Sequence, residues 1–286
     1  MNGPYDTATI IGVGLLGASL GLALKERGLA RTVRGVGHRS STLDTALARG
    51  AIDEASLEPE TACAGAGLVV VCVPAALVAG TLDTIRPVCP PNAVITDVAS
   101  TKESICRHAA ATWPTPRRFV GSHPMAGSEK FGPEHATPTL YQDSITIMEP
   151  RAAAHADDAW DAVAALWRAL GSTVVEIAPD LHDALVARTS HIPHITAACL
   201  AELAADRDGV QAVVGAGFRD VTRIAAGRPE IWRDICLTNS QAIVEGLDEF
   251  MKRLADLRRL VHAGDGPALD AFFRAAQSAR TKVVGE

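Results

Sequence analysis

This chain has no stretch both long and apolar enough to cross a bilayer; its most hydrophobic run, residues 67–80, is short and carries Pro74. It has no basic excess: 27 Lys and Arg against 33 Asp and Glu leave a formal net charge of −6. That balance argues against a nucleic-acid binder, which carries a basic face. The six cysteines, at 63, 72, 89, 106, 199 and 236, include no CxxC pair. Zinc-ribbon and thioredoxin-type chemistry are therefore disfavoured, and the thiols read as small buried hydrophobes in a reducing compartment. No basic segment followed by an apolar run and a cleavage site opens the chain, so the expectation is a cytoplasmic protein without a secretory leader. Internal repeats and low-complexity tracts are absent too.

What is present is the composition of a water-soluble globular chain, 48% hydrophobic and 21% charged, with 286 residues to fill two domains. The first half alternates short β-branched runs with amphipathic stretches. Residues 9–11, 32–36, 68–73 and 93–96 read as strands, and 119–120, 144–148 and 173–177 as further ones. Residues 16–24 have helical spacing closed by Gly28, and 41–49 form a second helix. Such alternation implies an α/β domain, a mainly parallel sheet covered on both faces, over residues 1–178. From residue 180 strand signals vanish. Amphipathic segments at 181–205, 211–224, 230–263 and 267–281 imply an all-helical second domain over residues 179–286. Its Ala- and Leu-rich helices carry more apolar face than one short domain needs, which points to a homodimer.

Gly12-Val13-Gly14-Leu15-Leu16-Gly17 is a GxGxxG sequence that follows a strand and opens a helix, the setting of a Rossmann-type dinucleotide loop. Gly12 allows the tight turn, Gly14 the approach of a pyrophosphate, and Gly17 close helix–strand packing. Free N–H groups where Leu15 and Leu16 start the helix attract the diphosphate. After the second strand an NAD enzyme places an acid on the ribose 2′-hydroxyl. Here Gly37-His38-Arg39-Ser40-Ser41 stands in that place, with no acid before Asp44. Arg39 can pair with a 2′-phosphate and Ser40 or Ser41 can donate to it, so NADP is expected over NAD; the bland reading of Arg39 is a solvated surface arginine. Val73-Pro74, ending the third strand, falls where a loop passes the nicotinamide.

Two further segments sit at the carboxyl ends of strands, where open α/β sheets bind ligands. One is DVASTK, residues 97–102; the other is GSHPMAGSE, residues 121–129. His123 stands between a short strand and a Pro- and Gly-containing loop and can take a proton near neutral pH. Ser100 can hydrogen-bond His123 or a substrate. SHIPH, residues 190–194, puts Pro193 inside a helical stretch at a cost of about 3 kcal/mol, which implies a kink. His191 and His194 lack a nearby third ligand, so no metal is expected. Asp220 and Arg223 share a helical face at i, i+3. They read either as a surface ion pair or as an arginine fork aimed at a substrate carboxylate.

GVGLLGASL, DVASTK, GSHPMAGSE, SHIPH, GFRDVTRIA and PEIW, in this order, resemble the prephenate dehydrogenase family, which includes arogenate dehydrogenases of tyrosine biosynthesis. The resemblance spans about residues 8–250 and implies a Rossmann domain followed by a helical dimerisation domain. It implies oxidative decarboxylation of a cyclohexadienol, prephenate or arogenate, with hydride passing to NAD(P)+. It assigns His123 to the substrate hydroxyl and Ser100 to orienting histidine and substrate. It assigns Arg223 to a substrate carboxylate, and Ser190, His194 and Trp232 to the substrate's surroundings. Glu129 falls on a loop that discriminates between substrates. Two departures stand out: the missing acid after the second strand, and an end after the helical domain, so that no C-terminal regulatory domain is expected. A β-hydroxyacid dehydrogenase shares the layout but relies on a lysine in its helical domain, and residues 180–223 contain none. A non-catalytic NADP sensor would not need His123, Ser100 and Arg223 together.

Overall fold

Residues 7–11 and 68–71 are buried without interruption, as strands covered on both faces must be. A computed structural model describes residues 4–128, 130–152 and 155–285. Its first part runs β1 (Tyr5–Ile11), α1 (Leu15–Glu26), β2 (Ala30–Val36), α2 (Ser40–Ala48), β3 (Glu54–Ser56), α3 (Pro59–Cys63), β4 (Leu68–Val71), α4 (Ala75–Ile85), β5 (Val94–Asp97), α5 (Glu103–Thr112) and β6 (Phe119–Val120). The strands pair in the order β3-β2-β1-β4-β5-β6, all parallel, which is the doubly wound order of a dinucleotide-binding sheet. Alternate residues divide between two cores. Ile10, Val70 and Val94 face α1 and the tryptophans Trp160 and Trp167; Ile11, Val69, Val71 and Ile95 face Val78, Leu82 and Ile85 of α4.

The chain then leaves this sheet. β7 (Ser122–Pro124), β8 (Ile145–Met148), α6 (Asp157–Ala169) and β9 (Thr173–Glu176) follow, and β7-β8-β9 form a separate three-stranded sheet. The two late strand segments expected from the sequence therefore extend this small sheet, where β7 runs antiparallel to β8. Gly121 marks the transfer: a Cβ there would lie 2.5 Å from the Cys106 sulfur, and its N–H donates to Glu149 Oε1 at 2.7 Å. Glu149 is itself buried and paired with Arg117 at 2.6 Å, which keeps its charge satisfied.

By density of contacts the chain forms two compact units, residues 1–240 and 241–286. The helices after β9 that belong to the first unit are α7 (Pro179–Val186), a π-helical segment Ala187–His191, α8 (Ile192–Ala205), α9 (Ala216–Thr222) and α10 (Pro229–Thr238). α11 (Ser240–Ala263) and α12 (Gly266–Val284) form the second, with Asp265 capping α12 through Ala268 N–H at 3.0 Å. Two expectations are corrected here. The helix expected over 211–224 is broken by Gly215, which is extended at φ −91° and ψ 179°. The helix expected over 230–263 is interrupted at Asn239, whose backbone leaves the helical region. At Pro193, where the sequence implied a kink, the regular α-helical pattern is interrupted by the π segment. Pro193 sits in the first turn of α8, where a missing N–H costs the helix little. Among the described residues no helix is long and apolar enough to cross a membrane.

Candidate active site

The glycine loop leaves β1 at Gly12, whose φ of +98° few side chains adopt; a Cβ there would lie 2.5 Å from the Cys72 carbonyl oxygen. Gly17 is equally constrained, since its Cβ would lie 2.0 Å from the Gly12 carbonyl oxygen. Gly14 is different: nothing lies within 4 Å of the place its Cβ would take. Just beyond it the first turn of α1, at Leu15 and Leu16, has no side-chain cap. Unclaimed N–H groups beside a bare backbone fit a diphosphate, so these residues suit a dinucleotide. Gly12 packs against the Cys72–Val73 turn, which Pro74 follows as the cap of α4. At the end of β2, His38, Arg39 and Ser40 are all exposed at the start of α2, and the next acid, Asp44, lies a turn further on.

His123 lies within β7, in register with Ile147, so the expected loop position is in fact a short strand. The strand is firmly seated. Ser122 Oγ donates to the Asp97 carbonyl oxygen at 2.6 Å, its N–H donates to Asp97 Oδ1 at 3.1 Å, and Trp167 Nε1 donates to Ser122 Oγ at 3.0 Å. Asp97 ends β5 and forms a buried ion pair with Lys102. Burial pushes the Asp97 carboxyl up in spite of that lysine. The imidazole of His123 is 8% exposed, and its Nδ1 lies 2.8 Å from His182 Nε2 on α7. Burial holds His123 well below the usual histidine range, and His182, Lys102 and His191 add to this in that order. The side chain is therefore a neutral imidazole at neutral pH, able to accept a proton. Ser100 is half-buried just before Lys102, and the hydrogen-bond partner of His123 is His182.

A chain of contacts runs from His182 to the remaining expected residues. Asn239 Nδ2 donates to the Asp183 carbonyl oxygen at 2.9 Å and lies 3.2 Å from His191 Nδ1. The His191 ring meets Trp232 edge-on, with centroids 6.2 Å apart, and His194 stacks on that indole with centroids 3.3 Å apart. Burial pushes His191 down to about 4 and lowers His194 as well. Gly227 closes this stack, for a Cβ would lie 2.6 Å from Trp232 Nε1. His123, His191, His194 and Trp232 thus belong to one neighbourhood, with Ser190 half-buried on the π segment. Arg223 begins a 3-10 turn and is exposed, and among the described residues no ion pair joins it to Asp220. Glu129 lies outside the described residues.

Residues 20–176 match the nucleotide-binding domain of prephenate dehydrogenase, and residues 178–275 match the dimerization domain of that enzyme. The chain belongs to the prephenate dehydrogenase family. It is 32% identical over 281 residues to the cyclohexadienyl dehydrogenase of Zymomonas mobilis, a match covering 96% of this chain and 95% of that one. Its fold matches a crystal structure of prephenate dehydrogenase from A. aeolicus in complex with hydroxyphenyl propionate and NAD+. The TM-score is 0.89 at 26% identity, over 97% of this chain and 98% of the other. Synechocystis arogenate dehydrogenase gives a TM-score of 0.81 at 29% identity, over 97% and 99%. In this member of the prephenate dehydrogenase family the residues that sequence reasoning passed over are His182 and Asp183, with Asn239 behind them. Asp97 and Lys102 stood inside a quoted motif, but their pairing shows only when β5 and α5 are in place.

Proposed function

We propose that this dehydrogenase converts prephenate or arogenate to its aromatic product, with His123 as the base. What carries this reading is a buried neutral imidazole just beyond the carboxyl end of β6, in a parallel sheet whose strand β1 leads into the glycine loop at its own carboxyl end. A bound nicotinamide dinucleotide supplies the hydride acceptor. His123 takes the proton of the ring hydroxyl as hydride leaves the same carbon, which becomes a carbonyl. Departure of the ring carboxylate as carbon dioxide leaves its electron pair to the ring, and His123 returns the proton to the oxygen of the new phenol. Ser100 stands on the β5–α5 turn to steer the hydroxyl. In this reading Arg223, which is exposed and not ion-paired with Asp220, grips a carboxylate, and Ser190, His194 and Trp232 form a wall for the ring. The protein's task is alignment, since aromatisation and loss of carbon dioxide make the reaction strongly downhill.

The second strand favours NADP. Arg39 and Ser40 are exposed just after β2, and no acid stands between Gly37 and Leu43. Dimerisation through the helical part is favoured by exposed Leu203 and Val213, at 67% and 80%, in a region matching a dimerization domain.

Assays with prephenate and arogenate, each with NADP and NAD, test these points together. Reduced dinucleotide should appear, faster with NADP, and Arg39→Ala should narrow the gap. His123→Asn should lower turnover about 10²–10⁴-fold while the fold is retained. Near-normal turnover would remove His123 from the chemistry, and a strong NAD preference would overturn the reading of Arg39.

A further inference from the structure

The reading of His123 as a base leaves open what sets its ring. We infer that His182 and Asp183 form a positioning relay that fixes His123 as the Nδ1–H tautomer and leaves Nε2 bare for the substrate. Asp183 Oδ1 accepts the N–H of Lys102 at 2.7 Å and Oδ2 that of Glu103 at 3.0 Å, so the side chain faces inward as an acceptor. His182 Nδ1 lies 2.7 Å from Asp183 Oδ1, so Nδ1 carries the hydrogen and donates it. His182 Nε2 then holds a lone pair, and the only hydrogen it can receive across the 2.8 Å contact is that of His123 Nδ1. Each bond dictates the next, and the sequence ends at a single basic nitrogen. His182 and Asp183 are 0% and 1% exposed, so water does not compete.

When His123 takes a proton at Nε2, the imidazolium charge is shared with His182 and faced by Asp183. No proton need pass to the carboxylate. The other groups facing His123 are Lys102, from the turn before α5, and His191 on the π segment. Asp97 balances Lys102. Neither Lys102 nor His191 accepts from His123 Nδ1, so His182 alone sets the tautomer.

The inference rests on the catalytic reading, but its test does not. Histidine-labelled wild-type protein is examined by nitrogen and carbon NMR, with the His123 signal assigned by its loss in His123→Asn. The expected signature is Nδ1–H. An Nε2–H signature overturns the relay whatever the activity, while normal turnover in His123→Asn overturns the catalytic reading and leaves the relay to the spectrum. His182→Leu should lower kcat about 10²-fold with the KM for substrate and dinucleotide nearly unchanged. His182→Gln, whose amide oxygen can accept in place of Nε2, should restore kcat at least about tenfold relative to His182→Leu. An unchanged kcat in folded His182→Leu, or no recovery of kcat in His182→Gln, refutes the assignment. If His182→Leu fails to fold, the wild-type spectrum decides.

Discussion

Burial weakens His123 as a base but keeps it unprotonated across the neutral range, which is the state the reaction needs. The plateau of kcat/KM should therefore extend below the ordinary histidine value of about 6.5. Initial rates between pH 5 and 8 check this, and an acid limb at or above that value would mean a solvated imidazole. A stability effect follows from His191, pushed down to about 4 in the fold. Between that value and about 6.5 the unfolded chain binds a proton that the folded chain refuses, so stability is full above this window and falls as pH falls through it. His191 alone contributes a loss of about 3 kcal/mol from pH 7 to pH 4, at about 1.4 kcal/mol per pH unit. Urea midpoints across this range should drop in the wild type and drop less in His191→Gln. Both histidines stood in quoted motifs, and His123 was legible because a strand end and a glycine-bearing loop flank it. His182 and Asp183 were not, since a His-Asp pair inside a helix has no local signature and its partner lies 59 residues away.

The elements around the site divide glycine's uses in a way that mutation can separate. Gly17→Ala forces a Cβ to within 2.0 Å of the Gly12 carbonyl, so α1 must move and stability should fall by about 2–3 kcal/mol or more. Gly14→Ala meets open space, so stability should fall by no more than about 1 kcal/mol, the cost of alanine at a helix N-cap. Dinucleotide affinity should nonetheless weaken at least about tenfold, or about 1.4 kcal/mol, because the methyl occupies the diphosphate's approach. Thermal melts beside dinucleotide titrations distinguish the two, and unchanged affinity in Gly14→Ala would place the diphosphate elsewhere. The loop was legible because its order of strand, glycines and helix is local. Helix interruptions were less so. Asn239 breaks the last long segment because its side chain is engaged by Asp183 and His191, and both contacts come from sequence-distant chain. The π segment was masked in the same way: periodicity continues through it, and only Pro193 hinted at altered pairing.

At the scale of the molecule, a mass of 29.9 kDa per chain sets the test of association. Sedimentation should give twice that mass, and Leu203→Glu with Val213→Glu should shift the protein toward monomer, since a charge at a closed apolar contact is costly. An unaltered dimer would place the interface on other surfaces. The main sheet was legible from the alternation of apolar runs with helices. The small second sheet was not, because a three-residue strand such as β7 is shorter than any period that a pattern can reveal. One carboxylate spans these levels. Asp183 caps the start of α5 and also anchors the histidine pair behind β7. A chain in which α7 has yet to dock therefore has a loose helix end and an unaimed base at once. Half-assembled protein is silent, and turnover reports completed assembly of this unit.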